Sequence, residues 1–565
     1  MTPGGRIRLW LGLGIALSAR LADPAPAAAQ AAPPAKPPVL DRLFPPGGQR
    51  GRTTEVTAEG QFDTWPVRVW VEGQGIEARP GEAKGKLVVT VAPDARGVGW
   101  IRLHDDQGAS EPRPFLVGSL PEAIEAEPND SPAAPQAVAA GPLTINGRLA
   151  KNGDVDGYSV PLQAGQALVA ALRAHEVLGS PMDAILQVAR PDGLVLDQAD
   201  DSGGLDPRLV FVAPRPGTYV VRTFAFPAEP SGSIQFAGGA SFLYRLTLTT
   251  EAFADHPWPL SVARDRPGWV GVVGWNLPDE ARTLAVSPTG AAADHVWADH
   301  PALAAPSLVR VVPHPVVLEA TPSVPGTLQA IVAPVSLSGR IGRPGERDVY
   351  RFTAEAGKVH SIRVASRALG FPLDPVLRVL DPGGKVLAES DDSSPAGRDP
   401  ELRFTPPDAG EFRVEVSDLN GRAGPRYVYQ LDLLSPQPGV RLTLAQRQFT
   451  LAPAKPLEIA VGVDRRDGFA GRLDIAVEGL PDWVAISRAA SIAGSETAKA
   501  VVLTLVSQGT TGWSGPFRIV GRPAPDGQAL VANRIEQDIL APRLTWLTIP
   551  RPDEIEAAPA CFQEW

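Results

Sequence analysis

Two segments of this chain carry the same short motifs in the same order, 192 residues apart. Residues 145–158 read Ile-Asn-Gly-Arg-Leu-Ala-Lys-Asn-Gly-Asp-Val-Asp-Gly-Tyr, and residues 337–350 read Leu-Ser-Gly-Arg-Ile-Gly-Arg-Pro-Gly-Glu-Arg-Asp-Val-Tyr. Identical pairs at this offset are Gly147/Gly339, Arg148/Arg340, Gly153/Gly345, Asp156/Asp348 and Tyr158/Tyr350. Such self-similarity constrains the fold more than any other feature, because it defines the unit that must fold.

The similarity continues well beyond these segments. Further matches are Leu178–Asp183 with Leu369–Asp374, Asp200–Ser202 with Asp391–Ser393, and Gly217–Tyr219 with Gly410–Phe412. A repeat of roughly 110 residues has the size of a whole domain, whereas solenoid repeats run to about 20–50 residues. The sequence therefore predicts a duplicated domain.

The composition of the chain favours short strands joined by turns. Among 565 residues there are 56 Gly, 60 Pro and 1 Cys. Runs such as Val67–Val71 and Lys86–Val91 are bounded by turn residues, a rhythm typical of β-sandwiches. A single Cys excludes an internal disulfide framework and a Cys-based zinc cluster. The net charge of −10 argues against nucleic acid and anionic lipid as main partners, since both reward clustered Lys and Arg.

We expect an all-β chain of tandem β-sandwich domains in a row, some jelly-roll-like and some immunoglobulin-like. An immunoglobulin-like sandwich precedes the first repeat copy, and a short β-sandwich-like region separates the two copies. A further immunoglobulin-like sandwich follows the second copy. In chain order these five segments are 39–120, 121–250, 251–330, 331–436 and 437–550, followed by a tail at 551–565.

The first 30 residues have the pattern of a secretory signal peptide. Arg6 and Arg8 precede an apolar run at 9–17, and small residues follow at 25–29. The alternative is a membrane anchor, but the run is short for a bilayer span. Residues 31–38 form a Pro/Ala linker. We therefore expect a chain without a transmembrane segment after signal cleavage, secreted or at the cell surface, with the periplasm as a further location.

The duplicated segment resembles the bacterial pre-peptidase C-terminal domain, a family similar to the collagen-binding domains of secreted clostridial-type collagenases. In the first copy the motifs that carry the resemblance are Glu125–Asp130, Gly153–Tyr158, Met182–Leu186, Asp200-Asp201 and Gly217–Tyr219. The resemblance implies jelly-roll-like sandwiches that accompany secreted proteases or occur in chains with no enzyme. Segment 39–120 resembles IPT/TIG-type immunoglobulin-like modules through Phe44-Pro-Pro-Gly-Gly and Gly51.

Oxygen-bearing side chains are concentrated at the start of the first copy. Calcium takes six to eight oxygen ligands, which a linker and a turn that meet could supply. The resemblance implies a calcium site built from two segments, with these ligands: Glu125, Glu127, Asn129, Asp130, Asp154 and Asp156. The alternative is that 128–130 merely forms a turn and the acidic side chains are solvated.

The second copy departs from this pattern. At the same offset, residues 317–322 read Val-Leu-Glu-Ala-Thr-Pro, so that Glu319 remains, with Glu346 and Asp348 further along. We therefore predict calcium in the first copy and no good site in the second. Calcium would stiffen the junction between the first sandwich and the first copy, since the carboxylates repel one another without it.

Three features resemble enzyme sites without completing one. Asp201–Gly204 matches part of the signature around a trypsin-like nucleophile, but nothing nearby suggests a partner His for Ser202. His295 and His300 lack a compact third zinc ligand. Cys561 has no partner signature. We interpret all of them as loop or tail residues. The 12 Trp could be core residues or a binding face, and the sequence does not separate the two.

We expect a bacterial, non-catalytic binding, adhesion or scaffold protein of the cell exterior. Its partners would be an extracellular protein or a polysaccharide, and possibly a secreted protease. The alternative is an accessory or divergent component of a secreted protease or hydrolase. Every segment is assigned to a small sandwich, which leaves no long stretch for a catalytic domain.

Overall fold

The computed structural model describes residues 36–550, except 139–140, 203, 230–234, 289–293, 321–326, 394–398, 437, 454, 510, 524–529 and 532–543. The predicted signal peptide, most of the linker, the tail and Cys561 lie outside the described residues. The described residues belong to one compact unit. Their regular secondary structure is almost entirely strand, with 54% strand and 3% helix, so the all-β prediction is confirmed.

The first sandwich packs two four-stranded sheets face to face. Its strands are β1 (Val39–Phe44), β2 (Gly47–Gln49), β3 (Thr53–Gln61), β4 (Arg68–Glu72), β5 (Ile76–Pro80), β6 (Lys86–Val91), β7 (Val98–His104) and β8 (Arg113–Gly118). The sheet orders are β1-β3-β6-β5 and β2-β8-β7-β4. Leu87, Val89 and Val91 of β6 are buried in the core, as the period of two in a half-buried strand requires.

The first repeat copy, here called unit A, is a sandwich of two five-stranded sheets. Its elements are β9 (Glu122–Ile124), β10 (Gln136–Ala137), β11 (Leu143–Arg148), β12 (Asp156–Leu162), β13 (Ala167–Arg173), α1 (His175–Leu178), β14 (Met182–Ala189), β15 (Val195–Ala199), β16 (Arg208–Val212), β17 (Gly217–Pro227) and β18 (Leu243–Thr249). The orders are β10-β12-β17-β14-β15 and β16-β13-β18-β11-β9. Among the described residues α1 is the one α-helix, and no helix is long and apolar enough to span a bilayer.

The middle sandwich is smaller. It consists of β19 (Phe253–Trp258), β20 (Ser261–Ala263), β21 (Gly268–Trp275), a 3-10 turn at Asp279–Ala281, β22 (Thr283–Val286), β23 (His295–Ala298) and β24 (Ser307–Val312). Its sheets have the orders β19-β21-β22 and β20-β24-β23.

The second repeat copy, unit B, repeats the strand order of unit A strand for strand. Its elements are β25 (Val316–Leu318), β26 (Gln329–Ala330), β27 (Val335–Arg340), β28 (Arg347–Ala354), β29 (His360–Ala365), a 3-10 turn at Arg367–Leu369, β30 (Pro375–Leu380), β31 (Val386–Ser390), β32 (Glu401–Phe404), β33 (Gly410–Asp418) and β34 (Val428–Leu434). The orders are β26-β28-β33-β30-β31 and β25-β27-β34-β29-β32. Because β25 pairs with β27 in parallel, unit B begins near residue 316, earlier than the expected boundary at 331.

The last sandwich follows unit B. Its elements are β35 (Gly439–Leu444), β36 (Gln448–Thr450), β37 (Leu457–Arg466), β38 (Leu473–Glu478), β39 (Val484–Ile486), β40 (Ala489–Ser491), a 3-10 turn at Glu496–Ala498, β41 (Ala500–Ser507), β42 (Trp513–Pro523), β43 (Leu530–Val531) and β44 (Thr545–Ile549). The orders are β35-β37-β41-β39 and β36-β44-β42-β38-β40, with β43 added beside β42.

The middle sandwich is a shortened form of the first one. In both, the first strand pairs antiparallel with the third across a bulge, and the second pairs in parallel with the last. At the bulge a Cβ on Gly60 or Gly274 would lie 2.0 Å from the carbonyl oxygen of Val39 or Phe253, so only glycine fits. The counterparts of β4 and β5 are absent from the described residues of the middle sandwich. The duplicated element is therefore a sandwich together with a repeat copy, larger than the sequence predicted.

The five domains follow one another along the chain, but they do not extend away from each other. The ring of Trp546 in the last sandwich lies 5.5 Å from that of Trp70 in the first sandwich, between centroids. The side-chain amide of Gln448 donates to Glu111 at 2.6 Å across the same junction. The first and last sandwiches are thus in direct contact.

A buried aspartate joins three domains. Asp255 of the middle sandwich forms ion pairs with Arg208 of unit A and with Arg426 of unit B, the latter at 3.1 Å. The imidazole Nδ1 of His256 lies 2.7 Å from the same carboxylate. Because a buried carboxylate is costly without cationic partners, this contact requires all three domains to be assembled.

Candidate metal centre

The candidate metal centre lies where the linker after β9 meets the turn before β12. The amide of Glu125 donates to the carbonyl of Asn146 at 3.0 Å, which extends the pairing of β9 with β11. Gln136 holds the linker on its other side, accepting from the amide of Ala126 at 2.9 Å and donating to the carbonyl of Ile124 at 3.1 Å. The linker is therefore fixed in place by main-chain and side-chain hydrogen bonds.

Close approach of the linker to β12 depends on a glycine. A Cβ at Gly157 would lie 2.9 Å from the carbonyl oxygen of Asn129, closer than real Cβ contacts allow. Sequence reasoning did not select this residue, although it lies inside the Gly153–Tyr158 motif. Gly157 allows the acidic linker to reach the acidic turn.

The structure brings the predicted acidic residues together. Carboxylate oxygens of Glu125, Glu127 and Asp156 lie within 4.8 Å of one another, and so do those of Glu127, Asp130 and Asp154. Glu127 belongs to both groups and so connects them. The sixth predicted residue, Asn129, is fully buried in the same linker, and its side-chain oxygen and nitrogen have no hydrogen-bond partner.

Each of the two aspartates has one carboxylate oxygen that accepts no hydrogen bond. Asp154 and Asp156 are fully buried, and in each the Oδ1 atom accepts no hydrogen bond. Their Oδ2 atoms are occupied by the amide of Ala150 and the hydroxyl of Tyr244, respectively. Buried carboxylate oxygens without donors are costly, so the arrangement suits a cation.

Basic side chains of the protein neutralise little of the negative charge of these clustered carboxylates. The Lys151 ammonium lies 3.8 Å from both Asp130 and Asp154, but its side chain is mostly exposed. The alternative interpretation as a simple turn accounts for some contacts, since the amide of Asn129 donates to Glu127 at 2.9 Å. A simple turn does not account for the Oδ1 atoms of Asp154 and Asp156, which are buried and accept no hydrogen bond.

The carboxyl pKa values reflect this crowding. Burial raises the pKa of Glu125 to about 7, with Glu127 and Asp154 adding to the rise. Burial also raises the pKa of Asp156 to about 8, although the hydrogen bond from Tyr244 opposes it. The pKa of Asp154 is raised by burial and by Glu127. A divalent cation would reverse these shifts, because it favours the ionised forms.

Unit B contains a partial counterpart of this centre. Glu319 accepts from the amide of Arg340 at 2.9 Å, as Glu125 accepts from that of Arg148 at 3.1 Å. Glu319 therefore corresponds to Glu125, and the true offset in this segment is 194, because the linkers differ in length. The counterparts of Glu127 to Asp130 fall within 321–326, outside the described residues.

The buried tyrosine and aspartate beneath the centre are common to both units. Tyr429 donates to Asp348 at 2.7 Å, as Tyr244 donates to Asp156. Burial raises the pKa of Asp348 to about 7, and Glu319 adds to this rise. The tyrosines were not selected from the sequence, although both lie in the strand that closes each repeat. The prediction that unit B lacks a good site stays a prediction.

Residues that resembled enzyme sites have structural contacts. Ser202 donates to the carbonyls of Asp200 and Arg208, which closes a turn. Asp299, next to His300, is bound by Arg50 at 2.9 Å across the junction with the first sandwich. Neither contact suggests catalysis.

A Ser, a His and an Asp that the sequence analysis did not single out lie in contact at unit B. The hydroxyl of Ser336 lies 2.7 Å from Nε2 of His314 and donates to Asp432. A catalytic triad needs the imidazole between Ser and Asp, whereas here the serine lies in the middle. Ser336 is also fully buried, so this is a structural network.

A family model and several solved structures match parts of this chain. The bacterial pre-peptidase C-terminal domain model matches residues 346–418. A solved pre-peptidase C-terminal domain of collagenase from Bacillus anthracis is 17% identical, covering 20% of this chain and 99% of that chain with a TM-score of 0.16. Fibronectin(III)-like modules of Clostridium thermocellum CbhA are 14% identical over 35% of this chain and 87% of theirs, with a TM-score of 0.12. No curated protein matches the chain at a significant level.

The family match falls within unit B. It spans strands β28 to β33, including Asp348 and Tyr350 of the duplicated motif. Unit A shares the strand order of unit B, including its two parallel edge pairings. This chain therefore contains a bacterial pre-peptidase C-terminal domain, matched at residues 346–418.

Proposed function

We propose that this protein is an extracellular, non-catalytic binding protein in which a calcium ion fastens unit A to the linker before it. The observation that carries the calcium proposal is the pair of oxygens on buried Asp154 and Asp156 that accept no hydrogen bond, beside Glu127. The all-oxygen donor set suits calcium, which accepts irregular coordination by many oxygens more readily than magnesium does.

The expected role of the ion is mechanical. Glu125, Glu127, Asn129 and Asp130 come from the linker, and Asp154 and Asp156 come from the body of unit A. An ion bound by both groups neutralises their mutual repulsion and ties the linker to β12. The linker leads directly from the first sandwich, which already contacts unit A through the ion pair of Glu59 and Arg148 at 2.5 Å. Calcium would therefore make this junction stiffer.

Calorimetric titration of the chelator-treated full chain tests the calcium proposal. We expect one calcium per chain and a rise in Tm with calcium relative to chelator. Asp156→Asn should abolish binding, whereas Asp348→Asn, the same change in unit B, should leave it intact. The proposal is wrong if calcium at millimolar concentration neither binds nor shifts Tm, or if Asp156→Asn binds as well as wild type. A magnesium titration serves as the ion control.

For the partner, we propose an extracellular protein or polysaccharide. The pre-peptidase family match supports a role alongside secreted proteases, and the sandwich domains provide surfaces on which a partner could bind. Pull-down on insoluble collagen, cellulose and native cell wall, with and without calcium, would identify the class of ligand. Degradation of casein or collagen by the purified chain would contradict the non-catalytic role and favour a protease component.

A further inference from the structure

Units A and B present the same exposed hairpin. In unit A it joins β14 to β15, and in unit B it joins β30 to β31. Gly193 and Gly384 occupy the left-handed region at the two tips, with φ of +90° and +88°. Their amides donate to the carbonyls of Arg190 and Asp381 at 2.9 and 3.0 Å. The two hairpins are therefore built alike and rigidly.

The second strand of each hairpin is the outermost strand of its sheet. β15 follows β14, and β31 follows β30, with no described strand beyond them. An outermost strand leaves one row of main-chain donors and acceptors without strand partners. The opposite edges of these sheets are the two-residue strands β10 and β26, which are too short to offer such a row.

Apolar side chains on these strands are exposed at equivalent places in both units. Val195 is 40% exposed and Val386 is 45% exposed, and they occupy matching positions beside the bulge. The following residues, Leu196 and Leu387, are also exposed. Exposed apolar side chains at equivalent edge positions of two domains in one chain suggest a binding function.

The turn and outer strand of each hairpin, with the two residues that follow the strand, carry an excess of negative charge. Residues 190–201 of unit A and residues 381–392 of unit B each contain four acidic side chains and one basic side chain. The acidic residues are Asp192, Asp197, Asp200 and Asp201 in unit A, and Asp381, Glu389, Asp391 and Asp392 in unit B. The basic residues are Arg190 and Lys385. A ligand strand lying along either edge would meet both apolar and acidic groups.

We infer that the two hairpins are strand-addition sites for an extended segment of a partner protein in which apolar and basic residues alternate. Main-chain hydrogen bonds along β15 or β31 would supply affinity, and the exposed valines with their acidic neighbours would select the side chains. This inference rests on the proposed binding role, but it involves none of the calcium ligands.

A synthetic peptide can serve as the partner. We would measure the fluorescence anisotropy of a labelled octapeptide that alternates Lys and Val, added to the full chain at low salt. A Glu/Val octapeptide of the same length is the charge control. We expect the Lys/Val peptide to bind at least tenfold more tightly than the Glu/Val peptide. Hydrogen exchange should slow at 195–199 and 386–390 when the Lys/Val peptide is bound.

Matched variants locate the site. Val195→Lys combined with Val386→Lys places a repelling charge on both edges and should weaken binding at least tenfold. Val502→Lys is the control, because Val502 is 52% exposed but lies on β41, between β37 and β39 in its sheet. It should bind as wild type does. Circular dichroism would check that both variants are folded.

Several outcomes would overturn the inference. They are no peptide binding, equal binding of both peptides, or slowed exchange at other strands only. Light scattering that shows a dimer abolished by the double variant, without peptide binding, would assign the edges to a second copy of this chain. If the peptide fails to bind while calcium binds and raises Tm, the calcium proposal stands and this inference alone is rejected.

Discussion

The ring of Trp546 lies 4.9 Å, between centroids, from the imidazole of His104, although one residue belongs to the last sandwich and the other to the first. The guanidinium of Arg102 lies 5.0 Å from the centre of the same indole. Trp546 is almost fully buried, and its Nε1 donates to Ser514 at 3.0 Å. One side chain thus contributes both to the core of its own domain and to the contact between the two ends of the described chain.

Replacing this tryptophan should be costly. Trp546→Ala removes a large buried ring, so we expect a loss of about 3–5 kcal/mol in the free energy of unfolding of the last sandwich. Trp269→Ala is the control, because Trp269 is 69% exposed and should change stability by less than about 0.5 kcal/mol. Urea unfolding followed by far-ultraviolet circular dichroism would compare them, and equal midpoints would contradict the assigned burial.

The buried Asp255 should prove essential to the junction of three domains. Asp255→Ala leaves the guanidinium groups of Arg208 and Arg426 without their shared carboxylate, and we expect a loss of about 3 kcal/mol. Asp279→Ala, at an exposed aspartate of the same sandwich, should not change Tm measurably. Thermal melts of both variants test this, and a Tm for Asp255→Ala equal to wild type would show that the junction is not held by this charge.

Gly147 and Gly339 should tolerate no side chain. A Cβ at these positions would lie 2.2 and 2.3 Å from the ring carbon Cζ of Tyr244 and Tyr429, respectively. Either Gly→Ala change must displace the tyrosine from its aspartate, at a cost of about 1–3 kcal/mol. Gly217→Ala, where a Cβ meets no heavy atom within 4 Å, is the matched control and should be neutral. Differential scanning calorimetry would show whether the two classes differ as expected.

Unit B should become less stable as the pH rises. Burial raises the pKa of Asp348 to about 7, whereas an unfolded Asp titrates near about 3.9. The folded protein keeps a proton that the unfolded chain has lost, so this stabilising contribution is present at low pH and disappears as the pH passes through 7. Asp348→Asn still accepts from Tyr429 but cannot ionise. We expect its Tm to match wild type below about pH 3.9, to exceed it increasingly as the pH rises toward 7, and to exceed it by the full amount at pH 8. Identical Tm values at pH 8 would contradict this.

Calcium binding to unit A should release protons. In the ion-free protein the pKa values of Glu125 and Asp156 are raised to about 7 and about 8, so both are partly protonated at neutral pH. Because calcium binds the ionised forms, its affinity should rise between pH 6 and pH 8.5. Titrations in two buffers of different ionisation enthalpy would reveal the released protons as a difference in heat. Equal heats in both buffers would show that these carboxyls are already ionised.

Local signals in the chain carried much of this architecture. The repeated motifs predicted two equal domains. The alternation of side chains in segments such as Lys86–Val91 predicted sandwiches, because a half-buried strand alternates apolar and polar residues along the sequence. The sequence predicts that the acidic residues at 125–130 and 154–156 form one group, and the structure brings their carboxylate oxygens together. Here the resemblance to a family supplied the pairing of the two segments, which spacing alone does not give.

Tertiary structure decided what depends on surfaces rather than on patterns. The sequence did not distinguish Trp546, which is buried, from Trp269, which is exposed, because both lie in similar strand-like runs. The offset of 194 for Glu319 became clear only from its main-chain partner, since a change in linker length hides the correspondence. The sequence by itself determined that the chain forms short strands in sandwiches and that one set of motifs is repeated. Contact between the first and last sandwiches, and the two uncovered edge strands, follow from long-range packing that no local pattern encodes.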